Sequence, residues 1–321
     1  AVSCTTAVCA ACNALFFGAM GGGLSLFDAG ELRTIADVAA AEQEPPVAAD
    51  DNLVPLNKQQ TILLDAAGGR VLLKTHVTLR AGVLEMLCCL KQTKEHESIL
   101  ALDGEARIVH GGLLAIEAEP GRPVQFYPDF APPQGPRIDV FLQWHDEQGK
   151  LHREPAQNWI RNVVHRYYVA VLENRPSDLK IPEDSDLRFD DKHRELIWYG
   201  PMTEQQRDRL LALSQDEEYQ AAIRTFFADS QSHQMEAHWV FAGSQFLVDE
   251  QTGDKLYMAE SGDLICVANF PSAMIDVSIA SSASGEDNLL YEAWTERIPP
   301  AGTEVTIELI PVKNEEETRP Q

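Results

Sequence analysis

The sequence predicts an α+β fold in which an antiparallel, strand-rich core carries a helical insertion. Two observations predict it. Short runs that alternate apolar and polar residues, as half-buried strands do, occupy much of residues 57–160 and 235–312. Between them, residues 165–234 contain stretches with apolar residues three and four positions apart, the spacing of a helix face. We therefore expect the two strand-rich blocks to share one core, to which the middle segment is added.

Strands dominate the first block. Residues 71–79 alternate regularly, and the turn at Ala81-Gly82 predicts that residues 83–90 return beside them as a hairpin partner. The segment 98–103 has the pattern of another strand or of a helix start, and 106–117 has one apolar stripe and is expected to be helical. The remaining apolar runs of the block predict strands at residues 61–65, 124–127, 138–144 and 150–154.

The middle segment is expected to be largely helical. Residues 155–173 place one set of large apolar side chains at helical spacing: Trp159, Ile160, Val163, Val164, Tyr167 and Val171. Residues 174–200 are acidic and contain prolines, so an irregular excursion is predicted there. Thr203 has the residue type and position of a helix cap before a helix to about Leu213. A second helix is predicted over 216–231, with Tyr219, Ala222, Ile223 and Phe226 facing inward.

Strands resume after the helices. The apolar runs at residues 236–246 and 255–259 flank a turn at 249–253, which predicts a hairpin. The same reasoning predicts strands at residues 264–269, 274–279, 289–295 and 305–310.

The negative net charge of the chain excludes one class of binding partner. The 321 residues include 26 Lys and Arg against 50 Asp and Glu, a formal net charge of −24. A phosphate backbone would be repelled, so no nucleic-acid partner is expected. A protein or small-molecule partner remains open, and no stable membrane span is predicted.

The two ends of the chain are expected to lie outside the folded domain. Residues 6–27 are uncharged and largely apolar, like the apolar region of an export signal, but their glycines disfavour a spanning helix. Acidic residues and prolines follow up to residue 56 and predict a linker. An exported or periplasmic protein is therefore predicted, with a cytoplasmic one as the alternative. The domain should span 57–312, and the acidic tail 313–321 should be disordered.

The six cysteines do not indicate a disulfide scaffold at this length. Cys88 and Cys89 are adjacent, so on a strand they point to opposite faces and do not ligate one metal together. Cys9 and Cys12 have the spacing of a redox motif but open no strand–helix–strand pattern.

Polar residues interrupt the apolar run of the first block. The sequence Lys94-Glu-His-Glu-Ser98 lies between two core-forming segments, so its side chains are either solvated at a turn or held in a site. Together with one histidine of the predicted helix, it supplies the candidate ligand-binding residues: Lys94, His96, Glu97, Ser98 and His110. We expect His96 and Glu97 to lie near His110, because they are on consecutive elements.

Several interpretations of these residues stay open. His96, Glu97 and His110 have donor atoms that suit a divalent metal such as zinc, although the spacing is not a metal signature and no cofactor is otherwise predicted. Alternatively, Glu97 is a buried hydrogen-bond acceptor, or Lys94, His96 and Ser98 line a small-molecule or peptide pocket. Ser98 as a nucleophile lacks the Gly-x-Ser-x-Gly elbow.

Two further motifs do not predict sites. Gly21-Gly22-Gly23 lacks the lysine and hydroxyl residue of a phosphate loop. The acidic group Asp184, Asp186, Asp190 and Asp191 lacks the offsets of a calcium loop and is expected to be a solvated surface loop.

Three groups of residues carry a family resemblance. They are Lys94-Glu-His-Glu-Ser-Ile-Leu100, His110 in Ile108-Val-His-Gly-Gly-Leu-Leu114, and Trp144 with Pro155-Ala-Gln-Asn-Trp-Ile160. With Trp239-Val-Phe-Ala-Gly-Ser244, Ala259-Glu-Ser-Gly-Asp-Leu-Ile265 and Pro299-Pro-Ala-Gly-Thr303, they resemble the bacterial YdjY-like domain family over residues 57–312.

The resemblance implies a fold more than a reaction, because the molecular function of that family is not established. Family labels suggest a link to electron transport or iron–sulfur proteins, but no cysteine motif in this chain supports one. The chain also departs from the compact pattern by the insertion at 165–234. Two functions therefore compete: a non-catalytic binding or accessory domain, and a metal-dependent enzyme that uses His96, Glu97 and His110.

Overall fold

The computed structural model describes residues 52–248, 251–281 and 289–312. The predicted N-terminal export signal and the acidic tail lie outside the described residues. The strands of the first block, in chain order, are β1 (Val54–Pro55), β2 (Ile62–Asp65), β3 (Arg70–Val77), β4 (Met86–Leu90), β5 (Ser98–Leu102), β6 (Arg137–His145) and β7 (Leu151–Pro155). Helix α1 (Ala106–Ala115) lies between β5 and β6.

The middle and last parts of the chain contain both kinds of element. The middle strands are β8 (Ile160–Asn162), β9 (Tyr167–Val171), β10 (Arg188–Asp190) and β11 (Glu195–Tyr199), followed by helices α2 (Glu204–Leu211) and α3 (Glu217–Asp229). The last strands are β12 (Trp239–Phe241), β13 (Phe246–Val248), β14 (Lys255–Tyr257), β15 (Ile265–Cys266), β16 (Ile275–Val277), β17 (Tyr291–Ala293) and β18 (Glu304–Pro311). The α+β class is confirmed.

Eight strands close into a barrel-like sheet. Hydrogen bonding runs in the order β3, β18, β6, β12, β16, β15, β4, β5 and returns to β3 through pairs such as Val77 with Leu100. Strands β2 and β7 extend this sheet on its outside by pairing with β3 and β6, and β1 pairs with β2. Pairing thus begins at Val54, within the segment predicted to be a linker.

The closed sheet is mixed rather than purely antiparallel. Strands β4 and β5 are parallel, as are β15 and β16, and the other pairs of the circuit are antiparallel. The predicted hairpin between residues 71–79 and 83–90 is wrong. The edge of β3 beside residues 75–77 is occupied by β5, so β4 lies one strand further away.

The core inside this sheet contains residues from both strand-rich blocks of the chain. It includes Leu73, Trp159, Trp239 and Ile307, all fully buried. The alternation of residues 71–79 is the reason β3 contributes to it, because Leu73, Thr75 and Val77 face inward while Lys74 is exposed. Residues 124–127, predicted as a strand, form only an isolated bridge between Gln125 and Ala131.

A buried carboxylate ties β18 to β3, β6 and β7. Glu308 of β18 is fully buried, and its Oε1 accepts a hydrogen bond from Arg70 Nη1 at 2.8 Å. Its Oε2 accepts from Arg153 Nε and Nη2 at 3.1 and 2.9 Å, and Gln143 Nε2 also donates to Oε1. Arg70 Nε also donates to Oδ2 of the buried Asp65 at 2.9 Å, so two arginines are shared between two buried carboxylates.

The middle segment has a core of its own, and it is not largely helical. Strands β10, β11 and β9 form a separate three-stranded antiparallel sheet in that order. One face packs on α2 and α3 through Tyr168, Leu196, Trp198, Tyr219, Ile223 and Phe226. We call this sheet with its two helices the insertion.

The helix predicted over 155–173 is wrong. The structure has a short 3-10 turn at Ala156–Trp159 and then β8 and β9. Most of the apolar residues there are β-branched or aromatic, which favours strands, and in β9 Tyr168 faces inward while Tyr167, Val169 and Val171 face outward. The excursion at 174–200 likewise contains β10 and β11. The helices after Thr203 and Asp216 are confirmed, because both side chains accept the capping hydrogen bond.

Candidate functional site

Lys94 lies at the centre of a cluster of carboxylates on the closed sheet. A 3-10 turn at Glu95–Glu97 connects the parallel strands β4 and β5, and Lys94 precedes it. The ammonium Nζ lies 2.8 Å from Asp263 Oδ1, 3.7 Å from Glu85 Oε2 and 3.9 Å from Glu97 Oε1. It also lies 4.6 Å from the centre of the Phe270 ring. We call Lys94, Glu85, Glu97 and Asp263 the Lys94 cluster.

Asp263, which is distant from Lys94 in the sequence, is the member of the cluster whose carboxylate lies nearest to the Lys94 ammonium. Its side chain is buried, and its Oδ2 accepts hydrogen bonds from the hydroxyls of Ser261 at 2.9 Å and Ser272. Burial alone would lower the pKa of Lys94, but the hydrogen bond and charge of Asp263 outweigh it and raise that pKa. Lys94 therefore stays charged and engaged, which is unlike an amine nucleophile.

The carboxyl of Glu85 has a raised pKa in the Lys94 cluster. Burial raises the pKa of Glu85 to about 7, helped by its hydrogen bond to Glu97 and the negative charge of that residue, while Lys94 acts in the opposite direction. The Glu85 carboxyl therefore gains or loses its proton near neutral pH. It gives the Lys94 cluster a pH-dependent charge.

The other predicted residues have different surroundings. His96 is exposed, with Nε2 3.7 Å from Glu97 Oε2. Ser98 is buried, and its hydroxyl donates to the carbonyl oxygen of Leu100 at 2.8 Å. His110 lies on α1, where Nδ1 is 2.8 Å from the hydroxyl of Tyr257, and burial lowers its pKa.

The fold therefore brings together only part of the predicted set. Lys94 and Glu97 belong to the Lys94 cluster, and the exposed His96 contacts Glu97 from the surface. The hydrogen bond of His110 goes to Tyr257, whose hydroxyl in turn donates to the Gly243 carbonyl at 3.0 Å. Sequence reasoning missed Glu85 and Asp263. The available signal was the Ser-Gly-Asp turn of the 259–265 motif, which carries the family resemblance.

A different group has the geometry of a potential metal site within the described parts of the chain. Ligand atoms of Asp190, His193 and Glu195 all lie within 4.8 Å of one another, at the turn between β10 and β11. Asp190 Oδ2 lies 2.7 Å from His193 Nδ1, and this contact lowers the pKa of Asp190 and raises that of His193.

An open cleft lies along β6. It has a volume of about 540 Å³ and is lined by Arg137, Phe141, Gln157, His233 and Glu236. Arg137 is engaged with Asp139 at 2.8 Å, so the cleft has no free cation from this residue to bind an anion.

The insertion exposes an apolar surface. On the sheet face away from the helices, Tyr167, Val169 and Val171 of β9 are 70%, 51% and 67% exposed, and Tyr199 of β11 is 50% exposed. Tyr167 and Tyr199 are cross-strand partners, with ring centres 4.9 Å apart. Contiguous exposed apolar patches, when they are large, mark interaction sites. We call these four residues the outer face.

Comparisons with known proteins identify one family. The YdjY domain model matches residues 210–309, from the end of α2 to β18, which is a shorter range than the resemblance at 57–312. No curated protein and no solved structure matches the chain. Within the residues that the structure describes, no helix combines the length and apolar character needed to cross a bilayer. The predicted family is confirmed for the matched residues, so this chain contains a YdjY-like domain.

Proposed function

We propose that this YdjY-like chain is a non-catalytic binding or accessory protein, and that it recognises a protein partner through the insertion. The observation that carries this proposal is the outer face, which is apolar and exposed although the opposite face of the same sheet packs on two helices. The occupant that fits is an extended protein segment. A strand added at the edge of β9 would pair with its backbone and place apolar side chains beside those of the outer face.

The edge of β9 supports recognition by strand addition. β9 pairs with β11 along one side, and it is the last strand of its sheet among the described residues. Its sequence, Tyr-Tyr-Val-Ala-Val, contains no charge, no proline and no glycine. Edge strands of monomeric proteins usually carry charged residues or prolines that prevent pairing with another strand. Since β9 has neither, its edge is suited to accept another strand.

The state of the polar residues also favours binding over catalysis. The Lys94 ammonium is held by Asp263, and the Ser98 hydroxyl is buried and donates to a carbonyl. A nucleophile needs a free, activated atom near a base. The alternative, a metal-dependent enzyme that uses His96, Glu97 and His110 with a divalent metal, stays a prediction. Metal content of the purified protein, with and without added zinc, tests it.

A strand-addition experiment tests the binding proposal. A fluorescein-labelled peptide of alternating valine and threonine with lysine at both ends should bind the full chain, as measured by fluorescence anisotropy. Val169→Lys should weaken binding at least tenfold, because it places a charge in the middle of the outer face. Val54→Lys changes an equally exposed valine on another edge strand and should bind like the wild type. Equal binding by wild type and Val169→Lys would contradict the proposal.

Export of the chain, with function in the periplasm, is part of the same proposal, and a cytoplasmic location is the alternative. The support is the uncharged, apolar composition of residues 6–27. Fusion of residues 1–56 to a reporter that is active only after export tests it. A reporter that stays inactive would favour the cytoplasmic alternative.

A further inference from the structure

We infer that Asp190, His193 and Glu195 bind a divalent transition-metal ion such as zinc at the hairpin between β10 and β11. This inference goes beyond the proposed function and does not depend on it. Ligand atoms of the three side chains all lie within 4.8 Å of one another. Ligands of one tetrahedral zinc ion, each about 2.1 Å from the metal, lie about 3.4 Å apart. Small rotations of the side chains would therefore bring all three atoms to bonding distance.

Strand pairing places the two carboxylates of this group side by side. Asp190 and Glu195 are directly opposite each other in the antiparallel pair of β10 and β11, so their side chains lie on the same face of the sheet. Glu195 is half-buried, and within the described parts of the chain its carboxylate accepts no hydrogen bond and forms no ion pair. Like charges directly opposite on neighbouring strands destabilise the pairing. A cation held between the two carboxylates would remove this repulsion.

The turn fixes Asp190 and positions the histidine beside it. Asp190 Oδ1 accepts hydrogen bonds from the backbone N–H groups of Lys192 at 2.8 Å and His193 at 3.2 Å. This leaves Asp190 Oδ2 directed at His193 Nδ1, 2.7 Å away. Arg194 adopts the left-handed conformation, with φ 60°, and its Nη1 donates to the carbonyl oxygen of Glu173 at 3.1 Å. The turn is thus tied to the segment that follows β9, so two of the three ligands are held in place before a metal binds.

The donor atoms select the class of metal. One imidazole nitrogen with two carboxylate oxygens suits zinc and similar transition metals, whereas calcium requires six to eight oxygen ligands. Three protein ligands leave a coordination position for water or for a ligand from another molecule. Val171 of the outer face is directly opposite Glu195, so the metal would lie at the rim of that face.

Equilibrium dialysis of the full chain against zinc tests the site. The protein carries no polyhistidine tag, and Cys4, Cys9 and Cys12 are changed to serine so that their thiols do not bind zinc. It should take up one equivalent of zinc at micromolar free zinc, and an excess of calcium should not displace it. His193→Gln and Glu195→Gln should each weaken binding at least about tenfold, because even the loss of a group that supports a metal ligand commonly costs this much.

Two variants are matched controls. His152 Nε2 also lies 2.8 Å from a carboxylate oxygen, that of Asp146, but this pair has no third metal-ligating side chain at the same spacing among the described residues. His152→Gln should therefore bind zinc like the parent protein. Glu97→Gln should also bind normally, which separates this site from the alternative metal site at His96, Glu97 and His110.

Hydrogen exchange locates the bound metal. Zinc should slow exchange in the peptide that covers residues 188–197, and this protection should be absent in His193→Gln. A parent protein that binds no zinc, or that binds it equally well as His193→Gln, would overturn the inference. Zinc binding that is lost in Glu97→Gln and kept in His193→Gln would also overturn it and would assign the metal to the alternative site. Binding of the strand peptide is measured without metal, so neither result decides the proposed function.

Discussion

The closed sheet and the insertion differ in whether their edge strands carry residues that prevent pairing with further strands. In the closed sheet, eight strands pair in a complete circuit, so the outermost strands are the added β1 and β7. β1 ends in Pro55, which has no N–H to donate, and β7 carries His152, Arg153 and Glu154 before Pro155. Prolines and charged residues protect edges from further pairing.

The insertion shows no such protection on β9. Its edge strand is uncharged, and its outward side chains are apolar and exposed. The difference suggests a division of roles: the closed sheet provides a stable frame, and the insertion provides the recognition surface. Each prediction below changes one of these two regions and measures how far the effect extends.

The largest effect is expected in the frame, from Glu308→Ala. This change removes the carboxylate that the buried Arg70 and the mostly buried Arg153 share, and it leaves Arg70 only Asp65, so the free energy of unfolding should fall by about 3–5 kcal/mol. Urea unfolding followed by tryptophan fluorescence measures it. Glu304→Ala alters an exposed residue of the same strand and should change stability by less than about 0.5 kcal/mol. Equal effects of the two substitutions would show that Glu308 is not essential to the frame.

A smaller and local loss is expected from Ile223→Ala in the insertion. Ile223 is fully buried against the inserted sheet, so the cavity should cost about 2–4 kcal/mol. Hydrogen exchange should show faster exchange in β9, β11, α2 and α3 while β3 and β18 keep their protection. Thr225→Ala, at an exposed position of the same helix, is the control. Uniform loss of protection would mean that frame and insertion unfold as one unit.

The Lys94 cluster should make the stability of the frame depend on pH. The pKa of Glu85 is raised from 4.5 to about 7 in the folded protein. Between these values the folded state keeps a proton that the unfolded chain releases, so this contribution to stability falls as pH rises and levels off above 7. After discounting for partial exposure to solvent, we expect about 1–2 kcal/mol.

Unfolding by urea from pH 4.5 to 8 measures this dependence. Glu85→Gln cannot titrate and should lack this part of the slope, so its advantage over the wild type should grow with pH. Glu119→Gln, at an exposed position, should keep the wild-type slope. An unchanged slope in Glu85→Gln would assign the dependence to other groups.

The parts of the fold that local sequence determines were predictable. The helices after Thr203 and Asp216 were predicted because caps and apolar stripes act over a few residues. The prediction of a helix at 155–173 was wrong, because the apolar spacing of this segment also fits strands and turns. Pairing with distant strands favours the strand conformation there. The order of the closed sheet depends on contacts between distant segments, as between β3 and β18, which no local pattern encodes.

In the candidate site, too, the residues marked by local sequence were predicted and those contributed by distant segments were not. Lys94 and Glu97 were identified because they interrupt an apolar run. Asp263, which holds Lys94 at 2.8 Å, comes from a distant turn and was missed. His110 was expected beside His96 because of its position in the chain, yet its hydrogen bond goes to Tyr257. Adjacency along the chain did not predict the hydrogen-bond partner of His110.

The smallest effect is expected from the cap of α2. The Thr203 hydroxyl accepts a hydrogen bond from Gln206 N at 3.2 Å, and the Gln206 side chain accepts one from Thr203 N at 2.9 Å. Thr203→Ala should cost about 1 kcal/mol, and Thr203→Ser, which keeps the hydroxyl, should cost less than half of that. Because α2 covers the inserted sheet, hydrogen exchange should increase only in the insertion, and the strand peptide should bind as before. If Thr203→Ala also loosened β3 and β18, the frame and the insertion would share one stability, and the division of roles between them would be wrong.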